Sequence, residues 1–202
     1  PENAFIFCCF NNSYKISPNE FNSWAKILEA VDGSVLWLIK SNEETQYNLI
    51  KEAKKRRINL DRLKFSSRVQ YLDYLARLRL VDLYLDTFNY NAGATASDAL
   101  RVGIPILTKI GNGYSARMAS SLLKGIGLNN LITQTKKQYE ERAIELAKDP
   151  KKIQKIKSEL KHNRHICPLF NSSRFTINIE KAYQLAYHNH LNSDETNNIF
   201  VN

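Results

Sequence analysis

The sequence predicts an α/β domain in which a doubly wound parallel sheet carries helices on both faces. Three observations predict it. Short apolar runs bounded by turn residues alternate with amphipathic segments from the start of the chain to about Gly127, the pattern of a sheet buried on both sides. One of those runs passes through a loop of small residues into a helix, as at the carboxyl edge of such sheets. The chain has 202 residues, 43% of them hydrophobic, enough for one domain with its own core.

The expected strands are Ala4 to Phe10, Ser34 to Lys40, Leu63 to Phe65, Leu83 to Leu85 and Ile104 to Thr108. Each is short, apolar and flanked by turn residues. The first helix is announced by Ser17, Pro18 and Glu20. Ser17 suits the N-cap, Pro18 the first helical position, and Glu20 completes a capping box. Phe21, Trp24, Ala25, Leu28 and Val31 then form one apolar face, and Asp32-Gly33 ends the helix. A second helix is expected over Glu43 to Arg57 and a third over Gln70 to Arg79. Beyond Gly127 the pattern turns helical, over Lys136 to Ala147, Pro150 to His165 and Arg174 to Asn189. The polar tail from Asn192 to Asn202 lacks a core pattern and is expected to be frayed or disordered.

Composition limits the function classes. No stretch approaches the roughly 20 apolar residues of a membrane span, so a soluble protein with no membrane partner is expected. The three cysteines are an odd number, and Cys8 and Cys9 lie inside an apolar run. They read as core thiols in a reducing, cytoplasmic setting. A net charge of +9 favours anionic partners without choosing among nucleic acid, lipid and phosphorylated metabolites. The densest basic cluster, Lys51, Lys54, Lys55, Arg56 and Arg57, falls at a helix end, where cations offset the dipole. It has no interleaved aromatic residues for base stacking, so nucleic acid is not the expected partner. Because the sequence opens at Pro1 without a methionine and enters a strand pattern almost at once, it is expected to be a piece of a longer protein.

Two stretches carry the chemistry. From Leu83 to Leu100 a strand runs into the small-residue loop Asn91 to Thr95 and then a helix bearing Thr95 and Asp98. Small side chains let an anion approach the backbone. Free N–H groups and the dipole at the helix start favour a phosphate or diphosphate, and the Thr95 hydroxyl adds a donor. Asp98 is placed to accept from ribose hydroxyls. The same loop also suits packing and capping, and Asp98 also suits the helix N-terminus. The second stretch, Phe7 to Ile16, puts Asn12 and Lys15 after the first strand, on the same sheet edge. Lys15 is either a surface lysine or the cation that stabilises charge on a departing nucleotide. His162, His165, His188 and His190 fall in the late helices, and no Cys or His cluster has metal-ligand spacing.

Taken together, Phe-Cys-x-Phe-Asn-x-x-Tyr-Lys-Ile from Phe7, Val-Leu-Trp-Leu from Val35, Leu-Asp-Thr from Leu85, Asn-Ala-Gly-Ala-Thr-Ala-Ser-Asp-Ala-Leu from Asn91, and Gly-x-Pro-Ile-Leu-Thr from Gly103 carry a resemblance. So do Ser115 to Leu123 and Pro168 to Asn171. The chain resembles, from about Phe5 to Leu191, the C-terminal catalytic lobe of O-linked N-acetylglucosamine transferases and the related SPINDLY proteins. The resemblance implies a Rossmann-like lobe of a two-lobed GT-B glycosyltransferase, with residues 1–191 binding a nucleotide-sugar. It implies that Asn12 and Lys15 contact the donor diphosphate, with Lys15 as the catalytic cation, although animal enzymes have Gln where Asn12 stands. It likewise implies that Ala94 and Thr95 hold the phosphates with Gly93 beside them in the donor site, that Asp98 binds ribose, and that Val69, Tyr74 and Arg77 contact the base. Tyr71 falls where animal enzymes have a lysine near the nucleotide. Tyr74 replaces a His, and Gly93-Ala94-Thr95 replaces His-Thr-Thr.

The implied reaction is transfer of a sugar to protein Ser or Thr hydroxyls, from UDP-N-acetylglucosamine (UDP-GlcNAc) as donor substrate, with no metal or other cofactor. Relatives that look similar in this lobe also include users of GDP-fucose. The family's N-terminal lobe and tetratricopeptide repeats, which supply acceptor contacts, are absent from the 202 residues. The chain alone is therefore expected to bind donor better than it transfers sugar. A non-catalytic nucleotide- or nucleic-acid-binding module on the same fold is the rival reading.

Overall fold

A computed structural model describes residues 4–192 and 198–201. The strands are β1 (Ile6–Cys9), β2 (Val35–Ile39), β3 (Leu63–Ser66), β4 (Leu83–Leu85), β5 (Ile106–Lys109) and β6 (Ile132–Thr133). They form one six-stranded sheet in the order β3-β2-β1-β4-β5-β6, and every pairing is parallel. The register pairs Cys8 with Trp37 on one side and with Tyr84 on the other. The expected doubly wound sheet is thus present.

The helices are α1 (Pro18–Ala30), α2 (Glu43–Lys55), α3 (Tyr71–Leu78), α4 (Ala94–Val102), α5 (Met118–Gly125), α6 (Lys136–Lys148), α7 (Pro150–Ile166) and α8 (Ser172–Leu191). Crossovers between parallel strands are right-handed. α1 leads from β1 to β2 in one direction along the sheet and α4 leads from β4 to β5 in the other, so they cover opposite faces. α1 packs against α6, while α4 packs against α3 and α5. The capping box at Ser17 and Glu20 forms as expected.

Two departures have local causes. The apolar run starting at Ile104 enters the sheet only at Ile106, because the Ile104 N–H closes α4 by donating to the Ala99 carbonyl at 2.8 Å. Gly103, at φ 93°, makes that reversal in the left-handed region. Strand β6 was not expected, being only two residues long.

The core is filled by Trp24, Tyr84, Tyr139, Phe7, Leu36, Leu83 and Ile106. Cys8 and Cys9 are fully buried and free, and burial pushes both thiols up from their ordinary range. By contrast α8 contributes no buried residue, and Phe175, Tyr183, Tyr187 and Leu191 on it are exposed. Of the expected frayed tail, Asn192 closes α8 and residues 198–201 form no regular element, while residues 193–197 and 202 lie outside the described residues. Among the described residues no helix is long and apolar enough to cross a membrane.

Candidate functional site

Strand order reverses between β1 and β4, so the loops following these two strands diverge and leave a crevice at their carboxyl ends. A cavity of about 630 Å³ occupies it. Its floor is the turn after β1 and the loop leading to α4, its near wall comes from α3, and its far wall comes from the segment between β5 and α5.

The loop after β4 is held from beneath by two buried carboxylates. Asp86 Oδ1 accepts from the Thr87 N–H at 2.8 Å, the Ala92 N–H at 2.7 Å and Asn11 Nδ2 at 3.3 Å. Its Oδ2 accepts from the Thr108 hydroxyl at 2.7 Å. Burial pushes the Asp86 carboxyl up to about 7, against the opposing pull of the bonds from Ala92, Thr108, Thr87 and Asn11. Glu20, also buried, adds a bond from the Phe88 N–H to its Oε1 at 2.8 Å, beyond its capping role. Tyr139 donates to the Asp86 carbonyl at 3.0 Å from α6.

Asn11 ties this loop to β1. Its Nδ2 donates to Thr87 Oγ1 at 2.8 Å, and its Oδ1 accepts from the Tyr84 hydroxyl at 3.2 Å and the Thr95 hydroxyl at 2.9 Å. Thr95 is thereby turned toward the first strand. Above it, α4 begins at Gly93 without any side-chain cap. The first N–H groups of a helix have no partner within the helix, and at the start of α4 Gly93, Ala94 and Thr95 line the cavity, an arrangement chemically suited to an anion.

Lys15 reaches this site from the other side. Its Nζ donates to the Asn91 carbonyl at 3.0 Å and stands 3.8 Å from the centre of the Tyr90 ring. Asn12 Oδ1 accepts from the guanidinium of Arg68, which brings a second cation to the cavity. Asn12, Lys15, Gly93, Ala94 and Thr95 therefore meet around one opening, as the sequence reading expected.

Val69, Tyr74 and Arg77 line the α3 end together with Phe10 and Ile39. Tyr74 packs 6.2 Å from Phe10, and Arg77 lies 5.7 Å from the Trp37 ring and donates to the Ser67 carbonyl at 2.7 Å. Burial pushes the Tyr74 hydroxyl up. Tyr71 and Asp98 stand outside the cavity wall and bond to each other, the Tyr71 hydroxyl donating to Asp98 Oδ1 at 2.8 Å. That bond pushes the Tyr71 hydroxyl up.

Several lining residues were not singled out from sequence. Asn11 stands beside Asn12 in the same motif, and Arg68 beside Val69, so adjacency was the available signal. Tyr90 lies inside the Leu83 to Leu100 stretch and Met118 inside the Ser115 to Leu123 stretch, where neither carries an expected role, and Tyr114 has no signal of its own. The four histidines lie on α7 and α8 and do not line the cavity. Among the described residues no group of three or more His, Cys, Asp or Glu is placed to hold a metal ion. The basic cluster ends α2, where Lys55 pairs with Glu52 at 2.6 Å and Arg56 donates to Asn22 at 2.7 Å.

Residues 1–179 match the model of glycosyl transferase family 41. The Arabidopsis thaliana protein named "Probable UDP-N-acetylglucosamine-peptide N-acetylglucosaminyltransferase SEC" is 34% identical over 184 residues, covering 91% of this chain and 19% of its own length. The SPINDLY protein of Solanum lycopersicum, named as the same kind of transferase, is 30% identical over 201 residues, covering 95% and 21%. The chain thus spans about a fifth of these curated relatives. Among solved structures, a mutant O-GlcNAc transferase of Thermobaculum terrenum superposes with a TM-score of 0.84 at 30% identity, covering 89% of this chain and 35% of that one. The fold is that of the C-terminal, Rossmann-like lobe of a GT-B enzyme. The family model spans most of the chain, and Asn12, Lys15, Val69, Tyr74, Arg77, Gly93, Ala94 and Thr95 line one cavity at the strand-order reversal: the chain belongs to glycosyl transferase family 41.

Proposed function

We propose that this chain is the donor-binding lobe of a glycosyltransferase that moves N-acetylglucosamine from UDP-GlcNAc to Ser or Thr hydroxyls of proteins. The observation that carries the reading is the placement of Lys15, 3.0 Å from the Asn91 carbonyl, beside the uncapped start of α4. A lysine ammonium and a set of free N–H groups converge there on a space of ligand size. The names of the family relatives supply the donor and the acceptor class.

In the transfer, the acceptor oxygen bonds to the anomeric carbon while the bond from that carbon to the diphosphate breaks. The electron pair leaves with UDP. Lys15 and the first turn of α4 meet the charge that builds on the diphosphate, in place of a metal. Val69, Tyr74 and Arg77 hold the base, and Asp98, outside the cavity wall and bonded to Tyr71, takes the ribose hydroxyls of a nucleotide that extends past that wall. The group that takes the acceptor proton and the surface that binds the protein acceptor belong to parts of the enzyme outside these residues. The buried free thiols of Cys8 and Cys9 suit a reducing, cytoplasmic compartment.

Thermal unfolding with added ligand tests the reading. UDP and UDP-GlcNAc at concentrations well above their Kd are expected to raise the Tm, and GDP-fucose to raise it less. Absence of any shift with UDP, together with salt-steep binding to single-stranded DNA, overturns it in favour of a nucleic-acid-binding module.

A further inference from the structure

The cavity has two ends, and the nucleotide as placed above uses one of them. Asp98 faces α3, since it is bonded to Tyr71. A ribose held by Asp98 therefore lies on the α3 side of the phosphate cradle, with the base beyond it toward Tyr74 and Arg77. The sugar on the far phosphate then points the other way, toward β4 and β5.

That end is walled by Tyr90, Tyr114, Ser115 and Met118. Tyr114 is 82% exposed and Tyr90 49%, so two large aromatic surfaces face water at the mouth of a cavity. The Lys15 ammonium stands over the Tyr90 ring, 3.8 Å from its centre. Met118 reaches over the start of α4, its Cγ 3.6 Å from where a β-carbon on Gly93 would stand. The wall is tied to the floor, because the Asn91 N–H donates to the Ser115 carbonyl at 2.9 Å and the Ser115 hydroxyl to the Asn89 carbonyl at 3.1 Å. A pyranose has one face of C–H groups that suits an aromatic ring, while its hydroxyls remain in water as the tyrosine hydroxyl does.

We infer that Tyr114 and Met118 form the subsite for the transferred sugar, the Tyr114 ring stacking on its C–H face and the Met118 thioether taking its apolar acetamido methyl. This rests on the donor-binding reading above and adds to it a wall built by this lobe alone.

Saturation-transfer NMR with UDP-GlcNAc on the unaltered chain, Tyr114→Ala and Met118→Ala separates the two. The uracil protons report the nucleotide, and the sugar protons report the subsite. In the unaltered chain both sets are expected to receive saturation. Tyr114→Ala is expected to lower the pyranose signals relative to uracil by about half or more, and Met118→Ala to lower the acetamido methyl most. Saturated uracil with unsaturated sugar in the unaltered chain, or the same sugar-to-uracil ratio in all three proteins, overturns the subsite and leaves the donor reading standing. Unsaturated uracil in the unaltered chain overturns the donor reading and the subsite with it. Tyr114 is exposed, so retained Tm in its variant separates lost contact from lost fold.

Discussion

The ammonium of Lys15 rests 3.0 Å from the main-chain oxygen of Asn91, so the cation that follows β1 is stationed on the loop that follows β4. A diphosphate entering the crevice meets a lysine whose charge no carboxylate among the described ion pairs neutralises. Lys15→Ala is expected to weaken UDP binding by roughly 10- to 100-fold, the range for losing charge-assisted bonds. Calorimetry checks it, and unchanged affinity removes Lys15 from the mechanism.

Asn11 should matter more for stability than Lys15. Replacing it with Ala leaves the Thr95 and Tyr84 hydroxyls without their acceptor and the Asp86 carboxylate without one of its donors. The expected cost is about 2–3 kcal/mol, read as a lower urea midpoint with unchanged slope. Nucleotide binding falls as well, because Thr95 loses its orientation.

Asp98 and Tyr71 can be separated by ribose chemistry. Tyr71→Phe removes the hydroxyl on Asp98 while leaving the exposed ring in place, and UDP affinity is expected to change by less than about 3-fold. Asp98→Ala is expected to erase discrimination between UDP and its 2′- or 3′-deoxy analogues. Competition titrations with both variants decide it, and retained discrimination in Asp98→Ala argues against ribose binding there.

Asp86 makes stability fall as the solution is made less acidic. Burial raises its folded-state value from the ordinary 3.8 to about 7. Between those values the folded state holds a proton that the unfolded state has released, so this stabilising contribution is complete below the lower value and lost by the upper one. Asp86→Asn keeps an acceptor for the Thr87 and Ala92 N–H groups, and Thr108 can reverse its hydroxyl. Denaturation at pH 5 and pH 8, values chosen on either side of about 7, should show a loss of stability in the unaltered chain and a smaller loss in the variant.

Much of this was legible in sequence because the decisive signals are local. Ser17 with Glu20 fixes the start of α1, and the small residues before Ala94 mark the start of α4, since caps and loops are written within a few neighbouring positions. The bonds that shape the site are written across long separations. Asn11 meets Thr95 across 84 positions and Glu20 meets Phe88 across 68, and nothing local in either partner announces the other. Glu20 shows the limit plainly: its capping role was visible, and its second bond, which holds the loop, was not. Strand β6 escaped for the opposite reason, being too short to show a period.

The position of β1 at the centre of the sheet has a kinetic consequence. That strand is hydrogen-bonded to β2 on one side and to β4 on the other, so the crevice between its loop and that of β4 has no form until residue 95 and its helix have emerged and docked. Assembly of such a distant parallel pair is slow, and its loop-closure entropy must be met before any contact repays it. A nascent or truncated chain ending before α4 therefore holds Lys15 with nothing to reach for, and the pocket is born whole or not at all.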